Sequence, residues 1–301
     1  MNHGREKAVK FGTSASLVGV VTEPAPGSDS AGKPVFVMLN AGILHRVGSC
    51  RLHVRAARAL SAAGFTTLRF DYSGIGDSDS RKDSLPFEES AVLETREAMD
   101  YLAKTKGAQR FVLMGLCSGA DMAHETTVVD DRVVGLMLFD AWVYRTFSYY
   151  MRHYLPRLFK WRVWQNSIRI RLEMLMGKRK DGRRAPGGDG VEHKVPKYVR
   201  VFPPKTRVER DLKSFVDRGI AMYCVWTGGL VEYNHEGQFA EAFSGVRFGS
   251  LLREEHLETA DHIMTDLNHQ AHVVKNVVEW ANGLPRAAAA AAATPSLTAA
   301  G

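Results

Sequence analysis

At 301 residues and 45% apolar composition the chain is long enough for one large core carrying an insertion, which excludes disorder throughout. Its net charge of +7 is local: residues 145–218 hold 20 basic and 7 acidic side chains, net +13, leaving 20 basic against 26 acidic, net −6, elsewhere. Three scattered cysteines, Cys50, Cys117 and Cys224, form no CxxC or Cys/His ligand spacing, which argues against a disulfide framework or a zinc site.

In chain order, the N-terminal MNHGREKAVKF is too polar for a secretory segment and no apolar run reaches membrane-span length, so the expectation is a cytoplasmic protein. Short apolar runs then alternate with helical patterns. VFVML is followed by a helix over 51–63, TTLRFD by one over 87–104, RFVLMG by one from Ser118, and then comes VVGLMLFD. This alternation predicts a mostly parallel sheet covered on both faces by helices. It resumes at IAMYCVWTGG, with a helix near 237–243, a strand at LREEHLETA and a last helix over 267–281.

The organisation predicted is a core over 1–141 and 219–284, interrupted by a basic helical lid over 142–218 and followed by a disordered Ala-rich tail over 285–301. Within the lid, Met151, Tyr154, Leu158, Trp161, Trp164, Ile168, Leu172 and Leu175 recur at steps of three and four, an amphipathic helical pattern. GKRKDGRRAPGGDG after it reads as an exposed loop.

GLCSGAD carries the chemistry. In a strand-to-helix turn of the form G-x-Nuc-x-G, the residues two before and two after the nucleophile must be small. Gly115 and Gly119 centre that turn on Cys117; centring it on Ser118 would put Leu116 at a small-residue position. The alternative is a buried, inert cysteine. A thiol needs a base and the base an orienting acid, and both follow in the order nucleophile, acid, histidine. His262 sits at a strand-to-helix turn in ETADHIMTD, with His256, His269 and His272 as rivals. Glu232 in TGGLVEYN is the favoured acid, and Asp140 at the end of VGLMLFD its competitor; Asp261 reads as a turn or cap residue.

The backbone amides of Ser118, opening the helix, and of Ile43, in the Asn40-Ala41-Gly42-Ile43 loop, are the expected oxyanion donors. Gly42, Arg46 and Trp142 are the expected substrate contacts, with a plain ion pair as the alternative for Arg46.

Taken in order, LNAG, HRVGSCR, RFDYSGIGDS, GLCSGAD, TGGLVEYN and ADH resemble the α/β-hydrolase fold, and HRVG and GLCSGA are most similar to the hydrolases encoded with exosortase and exopolysaccharide systems. The likeness covers about residues 9–283 and leaves the insertion without a signature. It implies a Cys-His-acid hydrolase or acyltransferase, of the kind the dienelactone hydrolases also illustrate. It also implies a structural tight turn at Asp71, Gly74, Gly76 and Ser78.

The expected substrate is an acyl thioester or ester, since an acyl-thioester intermediate stays open to amines, alcohols and thiols. The lid's aromatics suit an acyl chain. Its Lys and Arg suit phosphates, an acidic carrier protein or an anionic membrane surface. A non-catalytic binding module and a carbon–carbon bond hydrolase or lyase are the rivals. No nucleic-acid module, metal motif or nucleotide fingerprint is found, so no cofactor is expected.

Overall fold

The computed structural model describes residues 4–13, 15–158 and 200–287. Among the described residues eight strands form one sheet: β1 (Glu6–Phe11), β2 (Leu17–Thr22), β3 (Val35–Met38), β4 (Thr67–Phe70), β5 (Phe111–Leu116), β6 (Val133–Phe139), β7 (Ala221–Thr227) and β8 (Leu252–Leu257). Their spatial order is β1-β2-β4-β3-β5-β6-β7-β8. The two pairings that involve β2 are antiparallel and the remaining five are parallel. The parallel strands from β3 onward follow from the helices between them, as the alternation predicts.

The first two strands fall outside the predicted set. β1, EKAVKF, has no fully buried residue, so no continuous apolar run marks it. It is an edge strand, recruited by β2 through a six-residue antiparallel ladder.

Alternate residues of the central strands feed two cores, because successive side chains point to opposite faces. On one face Phe36, Met38, Val112, Met114, Tyr223 and Val225 meet α1 (Leu52–Ala62) and the C-terminal helix Leu267–Asn282. On the other, Val35, Val37, Phe111, Leu113, Leu138 and Cys224 meet α2 (Phe87–Lys106), α3 (Ser118–Val129) and a helix over Lys205–Asp217. Each Leu, Val or Phe so buried contributes about 1.5–3 kcal/mol.

Of the predicted lid, α4 (Phe147–Leu158) and the stretch from Arg200 into α5 (Lys205–Asp217) are described; α6 (Gln238–Ala242) and α7 (Leu267–Asn282) are the remaining α-helices among the described residues. The aromatic positions Trp161 and Trp164, the basic loop at 177–190 and nearly all the predicted tail lie outside the described residues. Among the described residues no helix is long and apolar enough to cross a membrane.

Candidate active site

The parallel strands end on one edge of the sheet, and the sharp turns that follow β5, β6 and β8 bring Cys117, Asp140 and His262 together. After β5 the chain turns abruptly into α3 at Cys117, whose φ of 54° and ψ of −117° lie where a side chain is strained, at a cost of about 1–3 kcal/mol. The amide of Cys117 donates to the carbonyl of Phe139 on β6, 2.9 Å, and its carbonyl accepts from Ala120 and Asp121.

The flanking glycines make this turn possible. A Cβ on Gly119 would lie 2.6 Å from the Asn40 carbonyl oxygen, and one on Gly115 would lie 2.6 Å from the Ala120 nitrogen. The glycine spacing therefore centres the sharp turn on Cys117. Ser118 is buried and its hydroxyl accepts a 2.7 Å hydrogen bond from the amide of Gly42.

That bond fixes the loop after β3 against the elbow. It also occupies Gly42, the expected substrate contact, so the next residue, Ile43, stands out from the surface at 91% exposure. The Ser118 and Ile43 amides are thus on the two segments that meet over the elbow.

After β6, Asp140 turns at φ 45°, again in the left-handed region and without a glycine. Its carboxylate is fully buried and held by Thr227, whose amide donates to Oδ1 at 2.7 Å and whose hydroxyl donates to Oδ2 at 2.8 Å. Oδ2 also bonds Nδ1 of His262 at 2.6 Å. The Cys117 thiol and the His262 imidazole influence each other's charge.

These contacts set the charges. The Asp140 hydrogen bond, then the interaction with the Cys117 thiol, raises the His262 pKa to about 10 despite partial burial. Burial alone would push the Cys117 thiol up, but the interaction with His262 and the charge of Arg200 outweigh it and bring the thiol below its ordinary range. A thiolate–imidazolium pair is the state both shifts favour.

The carboxylate that His262 meets is therefore that of Asp140, the competitor in the sequence reading, and not that of the favoured Glu232. Glu232 lies in the loop after β7, part-exposed, 3.5 Å from Arg145. The motif TGGLVEYN serves the site by other means. Thr227 binds Asp140, and a Cβ on Gly229 would lie 2.9 Å from the His262 amide nitrogen, so the histidine loop packs there only against glycine. The rival histidines have partners elsewhere: His269 bonds Thr259, His272 bonds Glu255, and His256 packs edge-on against Tyr233. Asp261 accepts from the Ile263 and Thr265 amides, the turn role expected of it.

Arg46, an expected substrate contact, makes the ion pair given as its alternative. Its amide and guanidinium engage the buried carboxylate of Asp71, and the guanidinium reaches Asp77 as well. Ser78 closes the same turn by donating to the Asp71 carbonyl at 2.7 Å, and a Cβ on Gly76 would overlap the Asp71 carboxylate.

Trp142 is buried and lines a cavity of about 710 Å³ between α2, α3 and the segment 200–207. Val92, Met122 and Phe202 give this cavity apolar walls, while Asp121 and Arg200 stand in its lining; Cys117 and His262 do not line it.

Two members of the site carry no assignment from sequence. Asp121, one turn along α3 from Cys117, is gripped through both carboxylate oxygens by Arg200, which also donates to the Asp140 carbonyl at 2.9 Å. Asp121 was visible in GLCSGAD as an acid in a buried helix start; Arg200, among so many basic neighbours, carried no signal. Among the described residues no group of three or more His, Cys, Asp or Glu side chains could hold a metal ion.

Comparison with solved structures finds the same overall fold. An esterase of Pyrococcus furiosus superposes over 93% of this chain and 91% of its own, with a TM-score of 0.58 and 14% identity. A serine hydrolase from Xanthomonas campestris, described as an a/b hydrolase without a lid, covers 94% of this chain and 97% of its own at 13% identity, TM-score 0.53. The chain has the α/β-hydrolase fold. A further α/β serine hydrolase homologue, from Coxiella burnetii, covers 93% of this chain and 98% of its own at 12% identity, TM-score 0.54. No family model and no curated protein matches the sequence. Where those two are described as serine hydrolases, this α/β-hydrolase fold carries a cysteine at its elbow.

Proposed function

We propose that the protein is a Cys-His-Asp acyl-transfer enzyme acting on thioesters or esters through an acyl-cysteine intermediate. The carrying observation is the thiol of Cys117, held on a strained elbow and brought below its ordinary pKa range with the help of His262, which is bonded at 2.6 Å to a buried carboxylate.

In this reading the Cys117 thiolate attacks the acyl carbon and the carbonyl oxygen takes up the negative charge. The amides of Ser118 and Ile43 face that oxyanion, aided by the N-terminus of α3. Collapse of the intermediate breaks the bond to the leaving thiolate or alkoxide, and the His262 imidazolium gives it a proton. His262, now neutral, takes a proton from water or another acceptor as that acceptor attacks the acyl-cysteine. The second intermediate releases the acid or transferred acyl group and restores the thiolate–imidazolium pair. The solved structures described as an esterase and as serine hydrolases support hydrolysis as the fold's default. The cysteine favours thioesters and activated esters among substrates.

Incubation with a short acyl thioester should give an acyl adduct on Cys117 by intact mass and peptide mapping. Cys117→Ala should abolish both adduct and turnover, and retention of full turnover by that variant overturns the assignment.

A second reading, a binding module docking an anionic surface or an acidic partner, draws on one observation. α4 exposes Phe147, Tyr150, Met151, Tyr154 and Leu155 at helical spacing. It predicts salt-sensitive binding to anionic vesicles and no Cys117-dependent turnover.

A further inference from the structure

Arg200 stands where three parts of the site meet. Its side chain is only 14% exposed. Nε and Nη2 hold both oxygens of Asp121, itself buried on α3 one turn beyond Cys117, and Nη1 donates to the main-chain carbonyl of Asp140 at 2.9 Å. The guanidinium plane is backed by the ring of Phe202, 5.1 Å away.

All three guanidinium nitrogens are thus engaged by the protein itself. A substrate anion would have to displace a buried carboxylate to reach them, so an anion-receptor role is disfavoured. The residue it holds by the carbonyl is the strained one: Asp140 sits at φ 45° and presents its carboxylate to His262.

We propose that Arg200 is a positioning residue for this site, clamping the Asp140 turn to the elbow helix and keeping a buried positive charge within reach of the Cys117 thiolate. The inference rests on the acyl-cysteine reading. The charged groups acting on Cys117 are His262 from the loop after β8, Arg200 from the segment before α5, and Asp121 from α3. Asp140 acts on both His262 and Arg200. The signs separate charge from mere connection: Arg200 stabilises the thiolate and Asp121 opposes it. Removing either charge would loosen the same clip but move the thiol in opposite directions.

The test is the pH dependence of Cys117 alkylation by iodoacetamide in the full chain, with thermal unfolding recorded alongside. Arg200→Gln should move the thiol's titration to higher pH and slow alkylation at pH 7 about threefold to tenfold. Asp121→Asn, which keeps a hydrogen-bond acceptor for Arg200, should move it to lower pH. Arg200→Lys, which keeps the charge without the fork, should return the profile towards wild type. If Arg200→Gln does not fold, the Arg200→Lys and Asp121→Asn profiles decide the matter. Superimposed profiles, or Asp121→Asn shifting to higher pH, overturn the role of Arg200 while leaving the nucleophile standing. A wild-type thiol titrating at its ordinary pH overturns both.

Discussion

The strand ends of β5 and β6 each turn through a non-glycine residue of positive φ, Cys117 at 54° and Asp140 at 45°, yet they are built by different means. At β5 the turn is made by absence: Gly115 and Gly119 lack the Cβ atoms that would strike Ala120 and Asn40. At β6 it is made by bonds, from Arg200 and Thr227, which lie 60 and 87 residues away along the chain. Missing side chains leave a local pattern in the sequence; long-range hydrogen bonds leave none. That difference explains why the centre of the elbow can be read from GLCSGAD, while the same reading favours Glu232 over the carboxylate that His262 meets.

The largest effect expected is at Asp140. Asp140→Asn keeps the shape but removes the charge that raises His262 and lets the amide present the wrong hydrogen-bonding group to Nδ1. Acyl turnover should fall by about 10³–10⁴-fold, measured as kcat/KM. The pH signs follow. In the wild type the thiolate forms as pH rises through the lowered Cys117 pKa, and His262 stays protonated until about 10. In Asp140→Asn the His262 pKa falls, its positive charge is lost earlier, and the alkylation profile moves to higher pH. His262 also contributes to stability: its folded pKa of about 10 exceeds the ordinary 6.5, so its stabilisation is complete below pH 6.5 and lost as pH rises through 10. Urea unfolding across that window should show the decline in wild type and a smaller one in Asp140→Asn.

The glycine side of the comparison is tested by Gly115→Ala. Its new Cβ would lie 2.6 Å from the Ala120 nitrogen, and the nearby atoms are backbone, which cannot swing aside. A loss of about 3 kcal/mol in urea unfolding is expected, with the elbow displaced. A variant that unfolds like wild type would show that the spacing of GLCSGAD reports something other than close packing.

The bonded side is tested more gently by Thr227→Val. It removes the hydroxyl bond to Asp140 Oδ2 and leaves the amide bond to Oδ1. About 1–2 kcal/mol of stability should be lost, and turnover should fall about tenfold as the carboxylate loosens on His262. Equal activity in the two proteins would mean that His262 and Arg200 hold the turn without Thr227.

Much of the frame is legible before any coordinates. β3 to β8 and the helices between them follow from apolar runs separated by helical periodicity, and His262 from its place in a turn after a strand. β1 is not legible because an edge strand needs no continuous apolar run. TGGLVEYN is legible as important and misleading as to why. Its glycines admit the histidine loop and its threonine anchors an acid on the neighbouring strand, while the conspicuous carboxylate within it pairs with Arg145. Arg46 follows the same logic: its charge is consumed by the buried Asp71, a partner 25 positions on in sequence.

The smallest effect is expected at Glu232, and it bears directly on which strand end supplies the acid. Glu232 is 37% exposed along its side chain and lies 3.5 Å from an Arg145 that is itself 42% exposed, so solvent screens the pair and its worth is at most about 1 kcal/mol. The local turn is held by the Glu232 carbonyl, which accepts from Gln238 Nε2 at 2.6 Å and survives any change of side chain. Glu232→Gln should therefore leave kcat/KM within about twofold of wild type and stability within about 0.5 kcal/mol. The comparison with Asp140→Asn is the sharp one, because both substitutions exchange a carboxylate for its amide and differ only in which strand end they touch. Were Glu232→Gln the variant that lost activity about 10³-fold while Asp140→Asn kept it, the acid would belong to the loop after β7. The buried contact between Asp140 and His262 would then be part of the scaffold rather than of the chemistry.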